Sequence, residues 1–102
     1  MREPRKLKVG FKEYDIIRKE TVVETPDECY GKINYQTQQI EIATKYSKNQ
    51  RNVTFLHEMI HAIFDKLDMH ELRTDEVVVN QLATELYMVF IENPEIFKMT
   101  DI

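Results

Sequence analysis

The spacing of apolar residues changes near position 45, from a period of two before it to spacings of three and four after it. KLKVGF (6–11) alternates, with Leu7, Val9 and Phe11 on one side. YDIIRKETVV (14–23) is less regular but rich in β-branched residues, so both segments predict strands. CYGKINYQTQQIEIAT (29–44) predicts a hairpin: Ile33 and Tyr35 alternate before a turn at the polar Thr37-Gln38 pair, and Ile40 and Ile42 alternate after it. Pro26 and Asp27 mark a loop ahead of that hairpin.

Ser47 followed by Gln50 forms a capping-box pattern and starts a helix at Lys48. Leu56, Met59, Ile60, Ile63 and Leu67 recur on its core-facing side, and it ends near Leu67 or Asp68. Thr74 is the expected N-cap of a second helix, with Asp75 and Glu76 in its first turn, where the helix dipole favours negative charge. Val78, Leu82, Leu86, Val89 and Phe90 form its apolar stripe, and Asn93-Pro94 stops it. A short turn over 95–99 then covers the core. The fold class is α+β: a small antiparallel or mixed sheet, then two main helices.

At 102 residues the chain fits one domain over 1–102, with residues 1–5 as a flexible tail. Apolar residues at 42 % and charged residues at 31 % are an ordinary globular mixture. A net charge of −4 gives no global attraction to phosphate backbones or anionic lipid, so nucleic acid is an unfavoured partner. The run Arg2, Arg5, Lys6 and Lys8 is locally basic but short. Cys29 is the single cysteine, so no intrachain disulfide forms and a reducing compartment suits the chain. No window approaches the apolar length of a membrane span, and the expectation is a cytoplasmic protein.

The candidate chemistry lies in HEMIH (57–61), inside the first long helix. Residues four apart differ by about 40° in azimuth, so His57 and His61 project side by side and offer two imidazole nitrogens to one ion. Glu58, rotated by about 100°, stands beside that ion without ligating it. Two neutral imidazoles hold zinc, zinc lowers the pKa of a water toward about 7, and the adjacent carboxylate takes the proton. Chance placement of this composition yields the HExxH pattern only about 0.01 times in such a chain. The bland alternative, two histidines on the polar face of an amphipathic helix, is correspondingly disfavoured.

Catalytic zinc takes three protein ligands and keeps a fourth position open. Two residues compete for the third place. Glu76 opens the second helix, 15 residues after His61, and a helix positions a ligand better than a loop does. His70, 9 residues after His61 in the connecting segment, would complete a three-histidine site or serve as an oxyanion donor.

HEMIH with Ala62 after it, together with EVVVNQLATELYM (76–88), resembles the ImmA/IrrE-like zinc metallopeptidases, in particular small phage or mobile-element versions. The second segment is similar to that family's E-x-x-A-N-x-F-A-x-E-L-L-M helix. The resemblance implies a zincin-like minimal metallopeptidase core with Zn2+ held by His57, His61 and Glu76, and Glu58 as general base. It also implies cleavage of a protein such as a transcriptional regulator. Asn80 and Ala83 fall on helix-packing or ligand-supporting positions. The chain departs from the family at Ile60, where a glycine is frequent, at Val79 for alanine and at Tyr87 for leucine; it also ends soon after the second helix.

An extended substrate is expected on a sheet edge at 38–43, and Tyr46, Tyr87 and His70 are the candidate donors to its carbonyl. The competing function is a non-proteolytic, zinc-stabilised protein that occupies a host protein partner. An intact Glu58 argues against it, because a structural metal site needs no base.

Overall fold

The computed structural model describes residues 3–100. Six strands precede the helices: β1 (Lys6–Val9), β2 (Lys12–Lys19), β3 (Val22–Glu24), β4 (Asp27–Cys29), β5 (Gly31–Asn34) and β6 (Gln39–Ala43). They are followed by α1 (Lys48–Lys66), the single-turn α2 (His70–Arg73), α3 (Glu76–Glu92) and a 3₁₀ segment, Pro94–Thr100. The architecture is α+β, with a mixed N-terminal sheet. Among the described residues no helix is long and apolar enough to cross a membrane.

The four-stranded sheet runs β1-β2-β6-β5, and β3 and β4 form a separate two-stranded ribbon. The predicted hairpin is β5 and β6, paired antiparallel with Ile33 opposite Ile40. Its turn is set by Asn34, whose Oδ1 accepts the N–H groups of Gln36 and Thr37, and Gln38 takes a positive φ of 56° to close it. β6 is an interior strand, because β2 pairs with it in parallel, Ile16 opposite Ile40. The edge expected at 38–43 is therefore not an edge. β5 is the edge on that side.

Two other strand readings change. The stretch 14–23 splits into β2 and β3, and the loop at Pro26 and Asp27 carries the turn and start of the β3–β4 ribbon. Phe11 does not continue β1: Gly10, at φ 63°, turns the chain, and the Phe11 side chain stands fully in solvent. Of the expected tail, residues 3–5 are held: Arg5 O accepts the Ile16 N–H at 2.9 Å, and Glu3 pairs with Arg51 at 3.0 Å. Arg2 lies outside the described residues.

α1 begins as predicted, with Ser47 Oγ accepting the Gln50 N–H at 3.1 Å. The reciprocal half of the box is absent, since the Gln50 side chain turns to Thr54. At the far end Asp68 adopts φ 59°, its N–H meets Asp65 O, and the Met69 N–H reaches back to Phe64 O at 2.9 Å. This left-handed wrap ends the helix at Lys66, and Leu67, its C-cap, is half exposed.

α1 packs on both sides. Phe55, Met59 and Ala62 meet Tyr14, Ile16, Ile40 and Ile42 of the sheet, while Leu56 and Ile60 meet Val79 and Ala83 of α3. Each large side chain fully buried in these clusters contributes roughly 1.5–3 kcal/mol. The buried face of α3 is Val79, Ala83, Leu86, Tyr87 and Phe90, rotated by about one residue from the predicted stripe, so Leu82 and Val89 are exposed. Val79 and Ala83 are fully buried because small side chains let the helices approach closely.

Gly31 fixes the spacing between β5 and α1. A Cβ there would stand 2.6 Å from Thr54 Cγ2 and 2.7 Å from the Glu41 carbonyl oxygen. Gly31→Ala is expected to cost roughly 1–3 kcal/mol by forcing the strand and helix apart, measurable by urea denaturation. A cost near zero would show that the contact relaxes freely.

Candidate metal centre

α1 and α3 bring three donors to one point. His57 and His61, one helical turn apart, place their Nε2 atoms 3.2 Å from each other. Glu76 comes from the first turn of α3, reaching His57 Nε2 with Oε2 at 3.0 Å and His61 Nε2 with Oε1 at 2.9 Å. The imidazole rings meet edge to face with centroids 4.9 Å apart. Asp75, not Thr74, caps α3: its side chain accepts the Val78 N–H, which sets Glu76 as the first helical residue. Thr74 instead closes α2, donating its hydroxyl to His70 O and Glu71 O. A single-turn helix between two longer ones was not visible in the apolar spacing, and it displaces the cap by one position.

His70 stands on α2 and not in a loop. Its Nδ1 accepts from Arg73 Nη2 at 2.7 Å, and among the described residues it does not belong to the cluster of convergent metal-ligating atoms. That cluster is His57, His61 and Glu76.

The donors fit a tetrahedral divalent cation. Nitrogen and oxygen donors about 2.0–2.2 Å from zinc stand roughly 3.3 Å apart; here the two Nε2 atoms are 3.2 Å apart, and each meets a different oxygen of Glu76 at 2.9–3.0 Å. His61 is 5 % exposed, and burial first, then the His57 charge, hold its imidazole toward the neutral form against the opposing pull of Glu76. A neutral imidazole presents a lone pair, as a metal ligand must. His61 Nδ1 is buried with no hydrogen-bond partner among the described residues.

Glu58 lies behind the histidines, 4 % exposed, with no cation paired to it among the described residues. Burial pushes its carboxyl up to about 8, with smaller pushes from the Glu76 and Glu24 charges. The missing Cβ of Gly31 gives it room: a Cβ would come within 3.3 Å of Glu58 Oε2.

All four side chains open onto one cleft of about 640 Å³ between β5, the β3–β4 ribbon, α1 and the start of α3. Asn80, one turn after Glu76, lines it, whereas Ala83 is buried against α1. Neither Tyr46, Tyr87 nor His70 lines it. The Tyr87 hydroxyl donates to Asn49 and accepts from Asn52 at the helix contact, and Tyr46 packs edge-on against Tyr30.

Tyr35 and Arg73 line the cleft and were not among the predicted site residues. Tyr35 read as one more alternating strand residue, and only the fold shows that the turn carries it over α1. No family model, no curated protein and no solved structure matches the chain.

Proposed function

We propose that the chain is a zinc-dependent metallopeptidase, of the ImmA/IrrE-like kind that its two helical segments resemble. The observation that carries this reading is the meeting of His57, His61 and Glu76 at one point beside the buried Glu58, on the wall of an open cleft. When bound, zinc supplies a Lewis acid that polarises a carbonyl and lowers the pKa of water.

The residues of the chain do the rest. His57 and His61 would hold the cation through Nε2, and Glu76 would add the third arm from the start of α3. Glu58, whose carboxylate form a nearby cation would favour, would accept a proton from the attacking water and pass it to the leaving amine nitrogen. The outer edge of β5 is the place for an extended substrate, because its Gly31–Ile33 stretch lines the cleft. By resemblance alone the substrate is a protein such as a transcriptional regulator, and the chain is of the small phage or mobile-element type.

A second reading, a zinc-stabilised binding protein, draws support from the apolar side chains that α3 leaves exposed, Val77, Met88 and Ile91 among them. Glu58→Gln separates the two. It should keep about one zinc per chain and lower cleavage by about 100-fold or more, read by mass spectrometry of new protein N-termini in cells expressing each form. Full biological activity in Glu58→Gln would leave the binding reading standing and the peptidase reading overturned.

A further inference from the structure

A cleft that cuts a peptide bond needs a hydrogen-bond donor for the carbonyl oxygen that gains charge. The residues that sequence alone offered for this are committed elsewhere, as described above. Two phenols line the cleft, Tyr30 and Tyr35. Tyr30 is half exposed and leans edge-on against Tyr46. Tyr35 is more enclosed, and its hydroxyl has no protein partner among the described residues.

The Tyr35 ring is held from behind. The Arg73 guanidinium lies over it, 5.0 Å from the centroid, and Arg73 Nη1 is tied to Asp65 at 2.7 Å. Asp65 also takes Lys12 Nζ at 3.1 Å, and Lys12 reaches the Tyr35 main-chain oxygen at 3.5 Å. The network thus grips Tyr35 by ring and backbone and leaves its O–H free.

We propose that the Tyr35 hydroxyl contacts the substrate, donating a hydrogen bond to the carbonyl oxygen of the bond that is cut, with Arg73 as the positioning residue that holds the ring. The proposal rests on the peptidase reading. In the step it serves, the water oxygen bonds to the carbonyl carbon, the π pair moves onto the carbonyl oxygen, and Glu58 takes the water proton. The C–N bond then breaks, and that proton goes to the nitrogen. Tyr35 keeps its own proton throughout. Burial raises its phenol to about 12, so the donor is intact across the working range.

The test uses an N-phosphoryl dipeptide, whose tetrahedral phosphorus carries an oxygen where the charged carbonyl oxygen develops. Its affinity for the zinc-loaded full chain is measured by calorimetry, with zinc content measured alongside. Tyr35→Phe, which keeps the ring under Arg73, should weaken binding by about 10- to 100-fold with zinc unchanged. Tyr30→Phe should match the wild type. Arg73→Lys, which leaves the phenol but cannot stack as a plane, should weaken binding by about 2- to 5-fold.

Equal affinity in Tyr35→Phe and wild type overturns the role of Tyr35 and leaves the peptidase reading intact, as does a loss at Tyr30→Phe instead. Weakening that tracks loss of zinc in Tyr35→Phe overturns it as well, by making the residue structural. Failure of the zinc-loaded wild type to bind the compound overturns the peptidase reading, and this proposal with it.

Discussion

Zinc at about a thousandfold excess over its dissociation constant is expected to stabilise the wild-type chain by about 4 kcal/mol, a rise of roughly 15 to 30 °C in melting temperature for a domain of this size. His61→Ala should remove most of that gain. The two imidazoles and Glu76 are already within 2.9–3.2 Å of one another, so binding requires little rearrangement of the folded chain. The unfolded chain has no such arrangement, and the difference appears as stability. If removal of one of the three arms weakens the ion by at least about 100-fold, the zinc-dependent gain falls to roughly 1.4 kcal/mol or less at the same concentration.

The same measurement decides the third arm. Glu76→Gln should behave like His61→Ala, whereas His70→Ala should keep the full zinc-dependent shift, since His70 is turned to Arg73. The reverse pattern would exchange the two residues. A wild type whose melting is indifferent to zinc would sink the metal centre itself.

The parts of this site legible in the sequence are those that one helix dictates. HEMIH specifies its own geometry, because the 3.6-residue period alone puts His57 and His61 on one side, and the Ser47 cap fixes where that helix starts. The placement of Glu76 was legible only as one of two alternatives, since spacing along the chain does not say how a connector folds. α2 settles the connector's path by turning His70 outward to Arg73.

Contacts between distant segments were illegible for the same reason. The parallel pairing of β2 with β6 joins residues more than 20 positions apart, and nothing in either strand's alternation announces it. Hence the sequence offers 38–43 as the edge, whereas the edge on that side is β5. The predicted stripe of α3 holds at Leu86 and Phe90 and shifts by one position at Val79 and Ala83, because that helix is apolar nearly all round. Only packing against α1 selects Val79 and Ala83 over Leu82. Tyr35 and Arg73 become site residues only when the β5–β6 turn and α2 meet above α1.

The metal-free protein is expected to lose stability as pH rises from 6.5 to 8.5, by about 2 kcal/mol through Glu58 alone. The Glu58→Gln variant should not show that loss. The folded carboxyl sits at about 8 against an ordinary 4.5, so between those values the folded chain keeps a proton that the unfolded chain has released. Stability from this group is therefore fully present below pH 4.5 and is lost as pH climbs through 8, roughly 4 to 5 kcal/mol over the whole span. His61 acts in the opposite sense: its folded affinity for protons is lowered, so its penalty appears only as pH falls below 6.5. The carboxylates of Glu3 and Glu41, held low by Arg51 and Lys19, contribute stability that is fully present above about 4.5 and is lost only as pH falls through their lowered folded values. The window from 6.5 to 8.5 thus isolates Glu58. Urea melts of the chelator-treated wild type and Glu58→Gln at several pH values provide the comparison. Parallel slopes for the two proteins would mean that Glu58 is ionised in the metal-free fold and that its burial is offset by a partner. A falling wild-type curve beside a flat variant would show a carboxyl kept protonated until a cation arrives to claim the site.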